Sequence, residues 1–287
     1  MNILSNTTDD YKRWEDKKLA SFTKNIDELT VQIANPNELS KPEKYKVLSL
    51  LDNNNLAFFQ TDNNKHANKS SIKNLAYQIG LGNYESDSKS DEDGLTEIKN
   101  HKQNTKTTEY IPYTDNELKW HTDGYYNNAQ SSINSWLLFC LTQAEHGGTN
   151  KYLDHEIAYI LFNLKSKKLG DLMFSDTYII PENLATKRRK ISNPVFMFFG
   201  QKLHMKFSMR KKNIIWNHDS LEAINLLKHI ITDSSDYHVV KKLGEGEGVI
   251  TNNVIHMRTA FTNSKNKNRL LYRLRSKNRI MTDVIFK

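Results

Sequence analysis

Gly248-Val249-Ile250-Thr251-Asn252-Asn253-Val254-Ile255-His256-Met257-Arg258-Thr259-Ala260-Phe261 reads as a strand, an Asn-Asn turn, and a second extended piece that carries a histidine. The turn re-aims His256 toward the interior of a sheet system. Thirteen residues on begins Arg269-Leu270-Leu271-Tyr272-Arg273-Leu274-Arg275, where strand alternation sets Arg269, Leu271, Arg273 and Arg275 on one face. An inward guanidinium without an anion costs several kcal/mol, roughly, so such a face calls for a ligand such as a dicarboxylate. Arginine suits that ligand because its planar fork holds a carboxylate through two parallel hydrogen bonds. An edge strand with solvated arginines is the competing reading, and the histidine-bearing strand ahead of it tips the choice.

Far upstream stands Trp120-His121-Thr122-Asp123-Gly124-Tyr125-Tyr126-Asn127. With 10 histidines and 33 acidic residues in 287, composition alone supplies about one His-x-Asp/Glu pair, so the motif needs context. His256 provides it. Two imidazole nitrogens and one carboxylate oxygen on a single face of iron leave the opposite face open for cosubstrate and oxygen, the arrangement of a catalyst and not of a structural staple.

Around these stretches the chain reads as α+β. Lys41 to Asp52 and Ser70 to Ile79 carry helical signals, the second ended by Gly80, with a short strand at Leu56 to Phe59 between them. Beyond Tyr110, Ser135 to Thr142, Pro194 to Phe199, Gly248 to Ile250 and Leu270 to Leu274 read as strands, and Asp154 to Leu164 and Ser220 to Thr232 as helices. A barrel with helices packed outside is expected, with a ligand site at its mouth. A single domain over 1–287 is the simplest division, with 1–20 as an N-terminal extension and the polar 83–108 as a loop or insertion.

Hydrophobic residues make up 37% and aromatic residues 10% of the chain, enough for a soluble globular core. The first twenty residues lack the apolar run of a signal peptide, and no stretch is long enough to span a bilayer. One cysteine, Cys140, allows no intrachain disulfide, so a cytoplasmic location is expected. The net charge of +8 is scattered among lysines, densest at Lys187-Arg188-Arg189-Lys190, and reads as a solvated surface. No nucleic-acid-binding motif accompanies it, and a non-catalytic basic nucleic-acid-binding protein stands only as a remote alternative. Neither a nucleic-acid nor a membrane partner is expected, and a homo-oligomer stays open.

Taken in order, the strand-helix start near Leu56, "WHTDG", the "GGTN" turn at Gly147 to Asn150, "HMRTAF", and Arg269 with Arg273 resemble the iron(II)/2-oxoglutarate dioxygenases of the taurine dioxygenase and clavaminate synthase type. The ligand separation of 133 residues between Asp123 and His256 also favours that branch over the nucleic-acid demethylating oxygenases. The resemblance implies a double-stranded β-helix, or jelly-roll. It implies His121, Asp123 and His256 as iron ligands and Arg269 as the grip on the distal carboxylate of 2-oxoglutarate. Relatives add a threonine hydroxyl from a Gly-Gly-x-Thr turn; here Thr149 comes one residue early and Asn150 takes the threonine position, so both are candidates. Arg273 falls where taurine dioxygenase meets the sulfonate of its substrate.

The activity implied is hydroxylation of an unactivated C–H bond in a small anionic or zwitterionic molecule, with release of succinate and carbon dioxide. Desaturation, cyclisation or epoxidation on the same scaffold is the alternative. Halogenation is disfavoured, because related halogenases carry a small residue in place of the carboxylate that Asp123 supplies here. Tyr125, Tyr126 and Asn127 either line the substrate side or pack the rim, and alternation from His256 puts Arg258 on the ligand's side. The charged stretch Pro181 to Lys190 sits where relatives carry a lid, with solvated charge as the favoured reading. His146, His155, His204, His218 and His238 fall outside this framework.

Overall fold

A computed structural model describes residues 9–62, 68–85, 94–99, 113–184, 188–200, 202–210 and 212–282. Two sheets dominate. The larger contains β1 (Thr30–Gln32), β2 (Leu56–Gln60), β3 (Leu95–Lys99), β5 (Ser135–Thr142), β14 (Glu247–Thr251) and β17 (Leu270–Ser276), in the order β1-β2-β14-β5-β17-β3. The smaller contains β4 (Leu118–His121), β7 (Asn150–Leu153), β13 (Val239–Lys241) and β15 (Ile255–Arg258), in the order β13-β7-β15-β4. Short ladders complete the set: β6 (His146–Gly147) with β16 (Phe261–Thr262), β8 (Tyr178–Ile180) between β9 (Ile191–Asn193) and β12 (Ile215–Trp216), and β10 (Phe196–Phe199) with β11 (Lys202–Met205).

The central strand β5 is apolar along nearly its whole length because both its faces are covered. On the inner side the sheets meet through aromatic rings. Phe58 of β2 lies 5.7 Å from Tyr152 of β7, and Trp136 of β5 lies 4.7 Å from the His256 ring of β15. Outside, the helix Lys41–Asn54 packs on β1 and β2. It is opened by a Ser40/Glu43 capping box with proline in its first turn, and closed by Asn55 in the left-handed region. The helices His155–Lys165 and Leu221–Asp233 form a second apolar layer with the β10/β11 hairpin.

Two stretches carry regular structure that their composition does not announce. Within and just beyond the expected N-terminal extension, Asp9–Ser21 is a helix with Tyr11, Glu15 and Lys18 buried. The Lys18 ammonium sits 2.6 Å from Asp154 and 2.7 Å from Glu156, the cap and first turn of the helix His155–Lys165. Arg279 adds a second cation 3.6 Å from Glu156 and donates to the Asn55 side chain, which in turn donates to Asp154. These charges come from ends of the sequence that no local pattern connects. Lys18→Ala would leave two buried carboxylates short of a partner, and is expected to cost about 3–5 kcal/mol of unfolding free energy by urea titration. A loss below about 1 kcal/mol would show that Arg279 and solvent compensate.

The polar stretch 83–108 is likewise not all loop. Its residues 86–93 and 100–108 lie outside the described part, but Leu95–Lys99 is β3, the edge strand paired antiparallel to β17, with Leu95 opposite Leu274 and Leu271 opposite Ile98. Among the described residues no helix is long and apolar enough to cross a membrane.

Candidate metal centre and active site

β4 ends on His121, and the chain then turns through Thr122-Asp123-Gly124. β15 pairs antiparallel with β4 so that His256 stands directly opposite His121, with the two rings 4.3 Å apart. The register shifts immediately afterwards, before Arg258. Asp123 Oδ1 lies 3.5 Å from His121 Nε2 and 3.8 Å from His256 Nε2, and the three donor atoms fall within 4.8 Å of one another. Gly124 makes the turn possible at φ +67°, where a Cβ would come 2.6 Å from Ile133.

Each imidazole is oriented from behind. His121 Nδ1 meets the Lys119 carbonyl at 2.8 Å and His256 Nδ1 meets the Val254 carbonyl at 3.1 Å. A carbonyl can only accept, so each Nδ1 carries the proton and each Nε2 presents a lone pair toward Asp123. Burial, followed by the neighbouring His121, pushes His256 down to about 3, so it stays neutral. Burial alone would raise Asp123, but the Arg273 and Arg275 guanidinium groups pull the other way, and the carboxyl is held below the usual carboxylate range and ionised. Converging imidazole lone pairs and one carboxylate form a donor set that fits a divalent first-row metal such as iron.

A cleft opens beside the triad. Ile98, Leu118, Trp136, Leu138 and Leu271 give it apolar walls, and Asn150, Arg258, Arg269 and Arg273 give it polar ones. Arg269 and Arg273 are buried, and among the described residues neither has a carboxylate partner within ion-pair distance. Burial pushes the Arg269 guanidinium down to about 10, which leaves it charged at neutral pH and short of an anion. Phe261 supports it: the Arg269 and Arg258 guanidinium carbons lie 5.0 and 4.8 Å from that ring.

Between the two candidates of the "GGTN" turn the geometry distinguishes. Thr149 is joined to Thr259 through its backbone, its carbonyl accepting from the Thr259 N–H and its N–H donating to the Thr259 hydroxyl, and it does not line the cleft. Asn150, opposite Arg258 in the β7/β15 register, lines the cleft with a buried Nδ2 that has no acceptor. Gly147 makes this delivery possible at φ +69°, because a Cβ there would come 2.1 Å from the Ala260 carbonyl oxygen.

The residues after the motif go elsewhere. Tyr125 packs in the helical core and its carbonyl accepts from the Tyr178 hydroxyl. The Tyr126 hydroxyl accepts from Arg275, whose other nitrogen pairs with Glu85 at 2.7 Å. Asn127 donates to Glu85 and to the Ser131 carbonyl. None of the three is among the residues that line the cleft. Arg258 does line it, but its Nη2 donates to the Thr114 and Asn116 carbonyls.

Lys206, which no sequence signal marks, is buried and donates to the Asn127 and Asn128 carbonyls; burial lowers it to about 8. His155, His204 and His238 are buried away from the cleft, while His146 and His218 are exposed. In the stretch 181–190, residues 185–187 lie outside the described part, and Asn183 and Arg188 bridge to each other.

Among solved structures, asparagine oxygenase in complex with Fe(II), 2S,3S-3-hydroxyasparagine and succinate superposes with a TM-score of 0.64 at 12% identity, over 86% of this chain and 93% of that one. The non-haem iron oxygenase OrfP in complex with Fe and alpha-ketoglutaric acid gives 0.57 at 13%, over 83% and 80%. A taurine dioxygenase from Burkholderia xenovorans gives 0.56 at 15%, over 86% and 88%. At these identities the likeness speaks for the fold. No curated protein matches by sequence. Residues 15–169, just over half of the chain, match the model of the family described as taurine catabolism dioxygenase TauD, TfdA family, and the chain belongs to that family of dioxygenases.

Proposed function

We propose that the protein is a single-domain non-haem iron(II)/2-oxoglutarate-dependent oxygenase on a double-stranded β-helix, hydroxylating a small anionic or zwitterionic molecule such as an amino acid, sulfonate or phosphonate. One observation carries this reading: a converging His121-Asp123-His256 donor set opens onto a cleft that also holds two buried guanidinium groups lacking a carboxylate partner among the described residues. The buried single cysteine agrees with a reducing, cytoplasmic setting.

His121, Asp123 and His256 would hold the iron. When bound, iron with 2-oxoglutarate and oxygen supplies oxidative decarboxylation to succinate and carbon dioxide, coupled to oxygenation of a C–H bond. The chain's own groups set the conditions for it. Arg269 receives the distal carboxylate of 2-oxoglutarate through its fork, and the acceptorless Asn150 Nδ2 donates to the same group. Arg273, on the same strand face and acting on Asp123, receives an anionic group of the substrate. The apolar walls exclude water, which strengthens both charge contacts. Desaturation or ring closure would use the same residues, and product mass separates these outcomes from hydroxylation.

Anaerobic addition of Fe(II) and then 2-oxoglutarate is expected to produce the weak visible charge-transfer band of the chelate. Oxygen should then yield succinate at a rate that amino acids, sulfonates or phosphonates increase. Protein that forms no chelate band under these conditions would reject the reading.

A further inference from the structure

Strand pairing accounts for only two of the three metal donors. The β4/β15 ladder sets His121 against His256, but Asp123 lies beyond the end of β4, in the turn made with Gly124. A buried peptide there must find partners outside a ladder. It finds them in one side chain. Asn253 Oδ1 accepts from the Asp123 N–H at 2.9 Å, and Asn253 Nδ2 donates to the Asp123 carbonyl at 3.0 Å and to the Ile133 carbonyl at 2.6 Å. The acceptor and both donors of the amide are used, and the residue is 1% exposed.

The same asparagine belongs to the turn that launches His256. It sits in the left-handed region at φ +58°, three residues before that histidine, and the Thr251 hydroxyl closes the turn by accepting from the Val254 N–H. Val254 in turn offers its carbonyl to His256 Nδ1. On the other side Asn252 pins the turn: its side chain accepts from the Ile280 N–H and donates to the Ile280 carbonyl, while its own N–H donates to the Asn55 carbonyl. The turn is therefore fixed to the body of the protein by one asparagine and to the metal carboxylate's peptide by the next.

We infer that Asn253 is a positioning residue for the metal centre, setting the separation of Asp123 from His256 and through it the metal affinity. This rests on the reading of the triad as a metal site. Removing its side chain leaves all three donors in the sequence but frees the Asp123 peptide from the turn that carries His256. Groups of this kind behind metal ligands typically govern affinity by about 10–100-fold.

The test uses Fe(II) alone, titrated anaerobically into folded full-length protein. Asn253→Gly keeps the left-handed backbone and deletes the three hydrogen bonds. Asn253→Asp keeps the shape and one acceptor but sets a carboxylate against two carbonyls. Asn213→Gly, an exposed left-handed asparagine at φ +64°, is the control for the backbone change. Fe(II) affinity is expected to fall about 10–100-fold in Asn253→Gly and to stay at the wild-type value in Asn213→Gly. At saturating iron, the 2-oxoglutarate concentration that half-saturates the chelate band should be unchanged, because Arg269 and Asn150 are untouched. Folded Asn253→Gly with wild-type iron affinity would overturn the inference, and if that variant does not fold, wild-type affinity in Asn253→Asp would do so. Wild-type protein that takes up no iron would instead reject the metal-site reading beneath it.

Discussion

Asp123→Ala protein is expected to bind iron(II) at least about 100-fold more weakly than wild type and to form no chelate band with 2-oxoglutarate, since loss of a direct ligand should exceed the cost of losing a group behind one. The reason is charge as much as geometry. Asp123 is the anionic member of the donor set, and it also faces the Arg273 and Arg275 guanidinium groups. Removing it leaves two imidazoles beside the Arg273 guanidinium, which has no other carboxylate within ion-pair distance among the described residues, and that charge opposes a divalent cation. The fold should survive, because Asn253 grips the backbone of residue 123 and not its carboxylate. Anaerobic iron titration on protein with native circular dichroism makes the measurement, and iron affinity within about threefold of wild type would remove Asp123 from the ligand set.

Arg269→Ala is expected to raise the 2-oxoglutarate concentration needed for half-saturation by about 100-fold while iron binding alone persists. Truncating one partner of a buried charge pair costs about 2–5 kcal/mol, much of it from leaving the other charge unpaired. Arg269 is buried against Phe261 in a cleft where, among the described residues, no carboxylate meets it, so a bound dicarboxylate would be its counterion. Arg269→Lys should fall between, keeping the charge and losing the planar fork. The apparent 2-oxoglutarate affinity, read from the chelate band at saturating iron, checks both variants. An unchanged requirement in Arg269→Ala would reject the role.

Much of this site is legible in the residues. The His-x-Asp pair, the distant His256 and the arginine-bearing final strand stand out because strand alternation puts chemically matched groups on predictable faces, and the structure brings them to one cleft. The Asn-Asn turn is visible as a turn. Its second role is not, because Asn253 and Asp123 are 130 residues apart and nothing local joins them. Tyr125, Tyr126 and Asn127 follow the motif directly in sequence, yet Asp123 is the last residue of that stretch to line the cleft, and the next three are engaged in packing and hydrogen bonds beside it.

The helices and strands themselves follow the same division. Lys41–Asn54 announces itself through local helical signals and β5 through its apolar run, since both act between near neighbours. β3 hides in a polar stretch because an edge strand of five residues needs only a few buried side chains, and its partner β17 lies about 175 residues away in sequence. The N-terminal helix hides because its apolar edge, Tyr11, Trp14 and Leu19, is interleaved with charged residues, and its Lys18 is anchored on Asp154 and Glu156 far along the chain.

Residue types and alternation were enough for the class of chemistry: two imidazoles, one carboxylate and a row of guanidinium groups restrict the ligands before any fold is drawn. Which of those groups share one cleft, and that Asn150 rather than Thr149 faces it, follows from the pairing of β15 with β4 and β7. A strand's side chains reverse face with every residue, so one step of register would carry His256 and Arg258 out of the cleft together; long-range packing chooses that register, and no local stretch of the chain encodes it.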